Sequence, residues 1–147
     1  MKDPEKSELI ENLVKNFSKL DRRQRHFMKD AFKSTGLRGV MYKYIITIKR
    51  NPGTNQDFLA EFYSVDKSRV ARIVRDLEKM GYLSRSPNEN DRRSHQLFLT
   101  PEGDRLYIKI KQKLLDWGAI ISGNISAEDI SFTIDIIDTM ISNANNV

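Results

Sequence analysis

The sequence predicts a mainly α-helical fold with one small β-hairpin, and two observations support this. Through most of the 147 residues, apolar side chains recur at spacings of three and four, the period of an amphipathic helix. Two short strand-like runs stand on either side of a polar stretch at 86–94. There is no cysteine, so disulfides and thiolate zinc sites are excluded, and with two histidines we expect no other metal site.

The first half of the chain divides into three predicted helices. The first begins near Ser7 and ends at Gly36, with a kink or break at 21–25 as an alternative. Its apolar seam has the spacing of a helix that pairs with a partner: Ile10, Leu13, Phe17, Leu20, Gln24, Phe27 and Ala31. A second helix carries Val40, Met41, Tyr44, Ile45 and Ile48. Thr54 is predicted to cap a short third helix with the apolar side Phe58, Leu59 and Phe62.

The second half begins with a helix that Asp66 caps and Gly81 ends. The hairpin strands are predicted at 82–85 and 95–99, with 86–94 as a long polar tip. Thr100-Pro101-Glu102 then has the chemistry of a helix start, and Ser122-Gly123-Asn124 interrupts that helix. Its apolar side is Leu106, Ile110, Leu114, Trp117 and Ile121. Ser126 caps a last helix with the seam Ile130, Ile134, Ile137 and Ile141.

Charge is distributed unevenly along the chain. The net charge is +5, yet the stretch after Lys113 has five acids and no Lys or Arg, so residues 1–113 carry +10. This asymmetry indicates a basic face for a polyanion and an acidic part held away from it. An unevenly charged solvated surface would give the same totals. The acids of the last stretch are Asp116, Glu128, Asp129, Asp135 and Asp138.

Two helices joined by a tight turn and followed by a hairpin predict a winged helix-turn-helix, in which the second helix enters the major groove. At about 100° per residue, that helix has a core side of Val70, Ile73, Val74 and Leu77. On its opposite side it presents Ser68, Arg72, Arg75 and Lys79, flanked by Arg69 and Asp76. We predict that Ser68, Arg69 and Arg72 contact base edges and that Arg75 and Lys79 contact phosphates. The alternative is an ordinary solvated helix face.

The hairpin tip is predicted to be a second contact element. Arg92 and Arg93 on an exposed loop suit a minor groove, whose negative potential attracts guanidinium groups. Asp91 is expected to pair with a neighbouring arginine, Arg93 above all, and to hold its side chain in place. A mobile polar loop without contacts is the alternative.

Several short runs from Asp66 onward have a distinctive order and spacing: Asp66-Lys67-Ser68-Arg69-Val70, Leu77-Glu78-Lys79-Met80-Gly81-Tyr82-Leu83, Arg85, Asp91-Arg92-Arg93 and Leu99-Thr100-Pro101-Glu102-Gly103. In both respects they resemble the MarR family of bacterial and archaeal regulators. The resemblance implies an obligate homodimer joined through terminal helices, a near-palindromic operator, and repression relieved by a small ligand. It also implies that Asp91 and Arg93 are the wing pair, with Arg93 in the minor groove.

The sequence thus predicts a single domain, 1–147, with a DNA-binding lobe at 37–100 and a helical dimerisation region at 5–35 and 101–147. Expected partners are double-stranded DNA, a second copy of the chain and a small aromatic effector. Six aromatic residues are candidates for an effector site, although aromatics at helical spacing are more often core: His26, Phe27, Phe32, Tyr42, Tyr44 and Trp117. The alternative function is a winged-helix module that contacts an acidic protein partner.

Other classes of protein are not favoured by the sequence. It contains no nucleophile beside a base, no glycine-rich phosphate loop and no metal-ligand cluster, so we expect neither an enzyme nor a cofactor. No apolar run approaches the length of a membrane span, and the charged start of the chain lacks the apolar region of a signal peptide. A cytoplasmic protein is therefore expected.

Overall fold

The computed structural model describes residues 4–147 and consists of six α-helices and one hairpin within that range. The helices are α1 (Pro4–Ala31), α2 (Met41–Arg50), α3 (Gln56–Tyr63), α4 (Lys67–Lys79), α5 (Pro101–Ser122) and α6 (Ala127–Ala144). The strands are β1 (Leu83–Asn88) and β2 (Asp91–Leu99), and a short 3-10 helix, Lys33–Thr35, follows α1. The mainly helical winged helix-turn-helix predicted from the sequence is confirmed.

The chain divides into two compact units, and the boundary falls within α5. The first unit extends to Leu114 and the second is Leu115–Val147. Within the first unit, α3 packs against α4, α2 against β2 and α4 against β1. The second unit contains the end of α5 and all of α6, which Ser126 caps by accepting the backbone N–H of Asp129 at 3.1 Å, as predicted. No helix within residues 4–147 is long and apolar enough to cross a membrane.

The core of the first unit gathers apolar side chains from most of its elements. Ile45 and Ile48 of α2, Leu59 of α3 and Leu97 of β2 are completely buried. Burial of this kind contributes about 25 cal/mol per Å² of apolar surface, so these residues hold the helices and the hairpin together. Three of the six effector candidates, Phe32, Tyr42 and Tyr44, belong to this core.

The predicted alternative break in α1 is wrong. The helix is continuous to Ala31, and Gly36 follows the 3-10 helix in the left-handed conformation, with φ of 80°. An ion pair between Arg25 and Asp21 at 3.0 Å joins successive turns through the charged segment that had suggested a kink.

The predicted cap of α3 is wrong, and its predicted apolar side is confirmed only at Leu59. Asn55, not Thr54, caps the helix, with its Oδ1 accepting the N–H of Phe58 at 2.8 Å. Thr54 instead pairs with Leu97 in an isolated antiparallel bridge. This bridge lies on the edge of β2 that does not pair with β1. Leu59 and Ala60 are buried, whereas Phe58 and Phe62 are exposed and stack on each other at a centroid distance of 5.7 Å.

The hairpin is longer than predicted, and its tip is shorter. Pairing runs from Leu83 opposite Leu99 to Pro87 opposite His95, and after an irregularity it closes with Asn88 opposite Asp91. Arg92 and Arg93 therefore lie in β2 and not in a loop. Apolar and polar alternation could not predict these additional strand residues, because residues 86–94 contain no large apolar side chain.

Candidate nucleic-acid interface

The exposed face of α4 carries the five helix residues that the sequence singled out. Because Val70, Val74 and Leu77 are completely buried, the opposite side of the helix must face solvent. All five candidates on that side are exposed: Ser68, Arg69, Arg72, Arg75 and Lys79. The helix has the one-sided burial that a helix needs if it is to enter a groove while anchored to its own domain.

The turn before α4 fixes how the helix leaves the core. Ser64 adopts the left-handed conformation, with φ of 49°, and ends α3. Asp66 occupies the N-cap position of α4 as predicted, but its side chain makes no capping hydrogen bond there. Lys67 pairs with Asp57 of α3 at 3.1 Å, which draws the first turn of α4 towards α3.

Tyr63 ties α3 to α2. Its hydroxyl donates to the backbone oxygen of Lys43 at 2.9 Å and lies 2.5 Å from the Thr47 hydroxyl. Burial raises the pKa of Tyr63, so its phenol stays protonated at neutral pH and remains a donor. The ring lies 4.7 Å from that of Tyr44, and burial raises the pKa of Tyr44 as well. The two tyrosines hold the helix pair as one rigid support for α4.

Each flank of α4 carries one acid, and each acid is paired with an arginine from another element. Arg38, just before α2, lies 3.4 Å from Asp76, and Arg85 of β1 lies 2.9 Å from Glu78. These pairs compensate both carboxylates of α4. Neither arginine was among the predicted site residues. An acid about 80° from the centre of a basic helix face is the sequence signal that could have suggested such partners.

The wing carries Arg92 and Arg93 exposed near the tip of the hairpin. The side chain of Asp91 accepts the backbone N–H of Arg93 at 3.0 Å, and Asn88 accepts that of Asn90 at 3.0 Å. The expected ion pair between Asp91 and the Arg93 guanidinium is absent from the described part of the chain. Asp91 therefore shapes the backbone of the tip and leaves the guanidinium group free to contact a ligand.

Two cavities border the predicted contact residues. One of about 310 Å³ lies between the start of α3 and the wing and is lined by Asn55, Gln56, Asp57, Asp91, Arg93, Ser94 and His95. The Ser94 hydroxyl oxygen is buried without a hydrogen-bond partner. The other, of about 170 Å³, is lined by Val40, Lys43, Tyr44, Tyr63, Val65 and Arg69. Tyr44 is thus an effector candidate that borders a cavity, whereas His26 pairs with Asp30 on the exposed side of α1.

Metal chemistry finds no support among the described residues. In residues 4–147, no group of three or more His, Asp or Glu side chains is placed to hold a metal ion. What the surface does offer is a convex basic helix beside a narrow basic hairpin. A helix of about 10–12 Å diameter fits the major groove, which is about 12 Å wide, and a hairpin tip fits the narrower minor groove.

Comparisons with known proteins agree with this geometry. A sequence profile of the MarR family matches residues 40–95. The HTH-type transcriptional regulator BilQ of Clostridioides difficile is 30% identical over 111 residues, which are 76% of this chain and 70% of BilQ. The uncharacterized HTH-type transcriptional regulator YybA of Bacillus subtilis is 33% identical over 82 residues, 56% of this chain. The matched region spans only 55% of the length of YybA.

Solved structures show the same fold. A MarR transcriptional regulator from Methanosarcina mazei superposes with a TM-score of 0.88 at 26% identity, covering 92% of this chain and 98% of that one. A putative MarR family regulator from Listeria monocytogenes, crystallised with a 26mer DNA, superposes with a TM-score of 0.77 at 23% identity. That second match covers 97% of this chain and 89% of the Listeria protein, and it establishes the fold alone.

Proposed function

Because the chain belongs to the MarR family of transcriptional regulators, we propose that it binds a near-palindromic operator in duplex DNA as a homodimer and represses transcription from it. The observation that carries this proposal is the exposed basic face of α4 beside the basic wing. In this proposal Ser68, Arg69 and Arg72 contact base edges, and Arg75 and Lys79 contact phosphates.

The wing completes each half-site contact. Arg92 and Arg93 enter the minor groove next to the major groove that α4 occupies, and Asp91 sets the shape of the tip. The Listeria protein crystallised with a 26mer DNA supports DNA as the partner of this fold. The lobe at 37–100 makes these contacts, and 5–35 with 101–147 form the dimerisation region.

Exposed apolar residues support the homodimer. On α1, the seam predicted from the sequence is open to solvent in the single chain: Ile10, Leu13, Phe17 and Leu20 are 38–50% exposed. In the second unit, Phe132, Ile134 and Ile141 of α6 are each more than half exposed. Apolar seams of this size are covered by a partner in stable proteins, and twofold symmetry of the partner gives a palindromic site.

We also propose that a small aromatic ligand releases the protein from DNA, and this part of the proposal rests on the family resemblance. The cavity of about 170 Å³ bordered by Tyr44 and Arg69 is where such a ligand would reach a base-contacting residue. A titration of the DNA complex with a panel of aromatic carboxylates and phenols tests it, and DNA release that follows ligand concentration is the expected result.

Selection of bound sites from a pool of random duplexes tests the DNA-binding proposal. We expect an inverted repeat whose half-site centres are about 10 base pairs apart, the separation that two symmetric recognition helices require. Absence of any enriched sequence would contradict the proposal. It would favour the alternative function, a winged-helix module whose basic face contacts an acidic protein.

A further inference from the structure

Arg38 and Arg85 lie on opposite flanks of α4. With about 100° per residue and Ser68 at the centre of the exposed face, Asp76 lies about 80° to one side and Glu78 about 80° to the other. The guanidinium of Arg38 is 3.4 Å from Asp76, and that of Arg85 is 2.9 Å from Glu78. The wing therefore stands on one side of the helix, and the connection between α1 and α2 stands on the other.

We propose that Lys29, Lys33 and Arg38 form a second phosphate-binding surface, called here the flank surface. It contacts the sugar-phosphate backbone that bounds the major groove on the side opposite the wing. This inference rests on the proposed function, since it places α4 in the groove. It assigns a role to three cations outside the segment from Asp66 to Thr100 that the sequence pointed to.

The charge of the flank surface suits a phosphate backbone. The three cations surround a shallow groove of about 560 Å³, whose other lining residues are Gly36, Leu37 and Gly39, so no acid lines it. Lys29 and Lys33 are exposed and make no ion pair with a carboxylate of residues 4–147. The Arg38 side chain is 78% exposed although it is paired with Asp76, so most of its donors remain available.

The connection that carries the flank surface is attached to the end of α4. The Tyr82 hydroxyl, just after α4, donates to the backbone oxygen of Thr35 at 3.2 Å. A Cβ on Gly36 would come within 3.1 Å of the Met80 sulfur, so the two segments are in close contact. Leu37 is 6% exposed and anchors the connection in the core. The backbone that carries Lys33 and Arg38 is therefore held against the end of α4, and Lys29 lies in the last turn of α1.

Groove geometry explains why a cation on this flank matters. A helix of about 10–12 Å nearly fills a major groove about 12 Å wide, so both of its flanks face a phosphate backbone. Asp76 on one flank would repel that backbone. Arg38 compensates this carboxylate and leaves N–H donors pointing outward, while the two lysines add charge along the same side. Contacts of this kind set affinity and register without reading the sequence.

The salt dependence of binding tests the flank surface. We would compare the wild-type protein with the triple variant Lys29→Ala, Lys33→Ala and Arg38→Ala on the selected operator. Lys111→Ala, which removes one exposed cation from α5, is the control for loss of a charge away from the flank surface. The triple variant should bind all duplexes more weakly with the same preferred sequence. The plot of the logarithm of its binding constant against the logarithm of salt concentration should be less steep, by about 1 for every phosphate that is no longer neutralised.

Hydroxyl-radical footprinting locates the contact. Protection should disappear in the triple variant on the backbone at the edge of each half-site away from the wing, and it should persist in Lys111→Ala. If the wild-type protein binds its operator and the triple variant keeps the wild-type salt slope and footprint, the flank surface is wrong and the proposed function stands. If the wild-type protein binds no duplex at all, the proposed function itself fails and the flank surface falls with it.

A second variant separates a phosphate contact from a merely structural role of Arg38. Asp76→Asn removes the carboxylate that Arg38 compensates, so this variant should bind DNA more tightly than wild type. Arg38→Ala in the Asp76→Asn background should still reduce the salt slope, because the guanidinium no longer neutralises a phosphate in either background. An unchanged slope in that background would show that Arg38 serves only to neutralise Asp76, and it would remove Arg38 from the surface.

Discussion

The Nε of Arg85 lies 2.9 Å from a carboxylate oxygen of Glu78, and this pair joins the first wing strand to the last full turn of α4. An acid near the C-terminus of a helix is unfavourable because the helix dipole is negative there, and Arg85 offsets this. Both side chains are only partly exposed, 29% for Arg85 and 39% for Glu78, so solvent screens the pair incompletely. The pair thereby links the wing to the end of the recognition helix.

A double-mutant cycle should detect coupling within this pair. We expect Arg85→Gln and Glu78→Gln each to lower the free energy of unfolding, with a coupling of about 1 kcal/mol after allowance for partial exposure. Denaturant unfolding of the four proteins measures it. The exposed pair of Lys15 with Glu11 in α1 is a suitable comparison, and its coupling should be smaller. Additive effects at Arg85 and Glu78 would show that the pair does not link the wing to α4.

Gly103 is predicted to be intolerant of any side chain. A Cβ built on it would lie 2.1 Å from the backbone oxygen of Tyr82, so Gly103→Ala must displace either the first turn of α5 or the start of the hairpin. We expect a loss of about 1–3 kcal/mol in the free energy of unfolding, as is usual for overpacking. Thermal or denaturant unfolding measures the loss.

Gly118 provides the control in the same helix. A Cβ there would meet no atom within 4 Å, so Gly118→Ala should raise stability by about 0.5–1 kcal/mol through helix propensity. Equal losses at the two glycines would mean that the close approach of α5 to Tyr82 does not explain the effect.

Phe17 is predicted to lie in the dimer interface. It is 42% exposed in the single chain and belongs to the apolar seam of α1. Phe17→Glu would place a charge in that interface, and burying an unpaired carboxylate is costly, so we expect monomers and weaker operator binding. Sedimentation or light scattering gives the mass. Ser18→Glu adds the same charge at the neighbouring exposed position and should remain a dimer. A Phe17→Glu protein that stays dimeric would place the interface elsewhere.

The two wing residues Asp91 and Arg93 should respond differently to mutation. Arg93→Ala removes the proposed minor-groove contact and should weaken operator binding while leaving stability within about 0.5 kcal/mol of wild type, since the residue is exposed. Asp91→Asn keeps the side-chain oxygen that accepts the Arg93 N–H, so this variant should bind at least as tightly as wild type. Binding as weak as that of Arg93→Ala would indicate an ion pair between the two side chains.

The helices show what could be predicted from the sequence and what could not. Helix periodicity located α1, α2, α4, α5 and α6 because their buried residues alternate with exposed ones at the helical period. The start of α3 was missed by one residue, since Thr54 and Asn55 are both good caps and only the bridge to Leu97 decides between them. Phe58 and Phe62 look like core residues by composition, yet tertiary packing buries Leu59 and Ala60 instead.

The candidate nucleic-acid interface likewise combines features that local sequence predicts with contacts that it does not. Exposure of Ser68, Arg72 and Lys79 follows from the helical period within α4, so the sequence was sufficient to predict it. Arg38, the partner of Asp76, lies 38 positions before it, and Arg85, the partner of Glu78, lies 7 positions after it. No local pattern specifies such pairs. The cations of the flank surface were missed for that reason.

The specificity profile of Arg72→Ala tests the central claim, that α4 reads the major groove, most directly. Affinities of wild type and variant would be measured for an operator series in which every base pair is replaced in turn. We predict that the variant loses on the order of 1–3 kcal/mol of discrimination at one position, repeated symmetrically in the two half-sites, and keeps the wild-type preferences elsewhere. A variant profile identical to that of wild type at every position would contradict the claim.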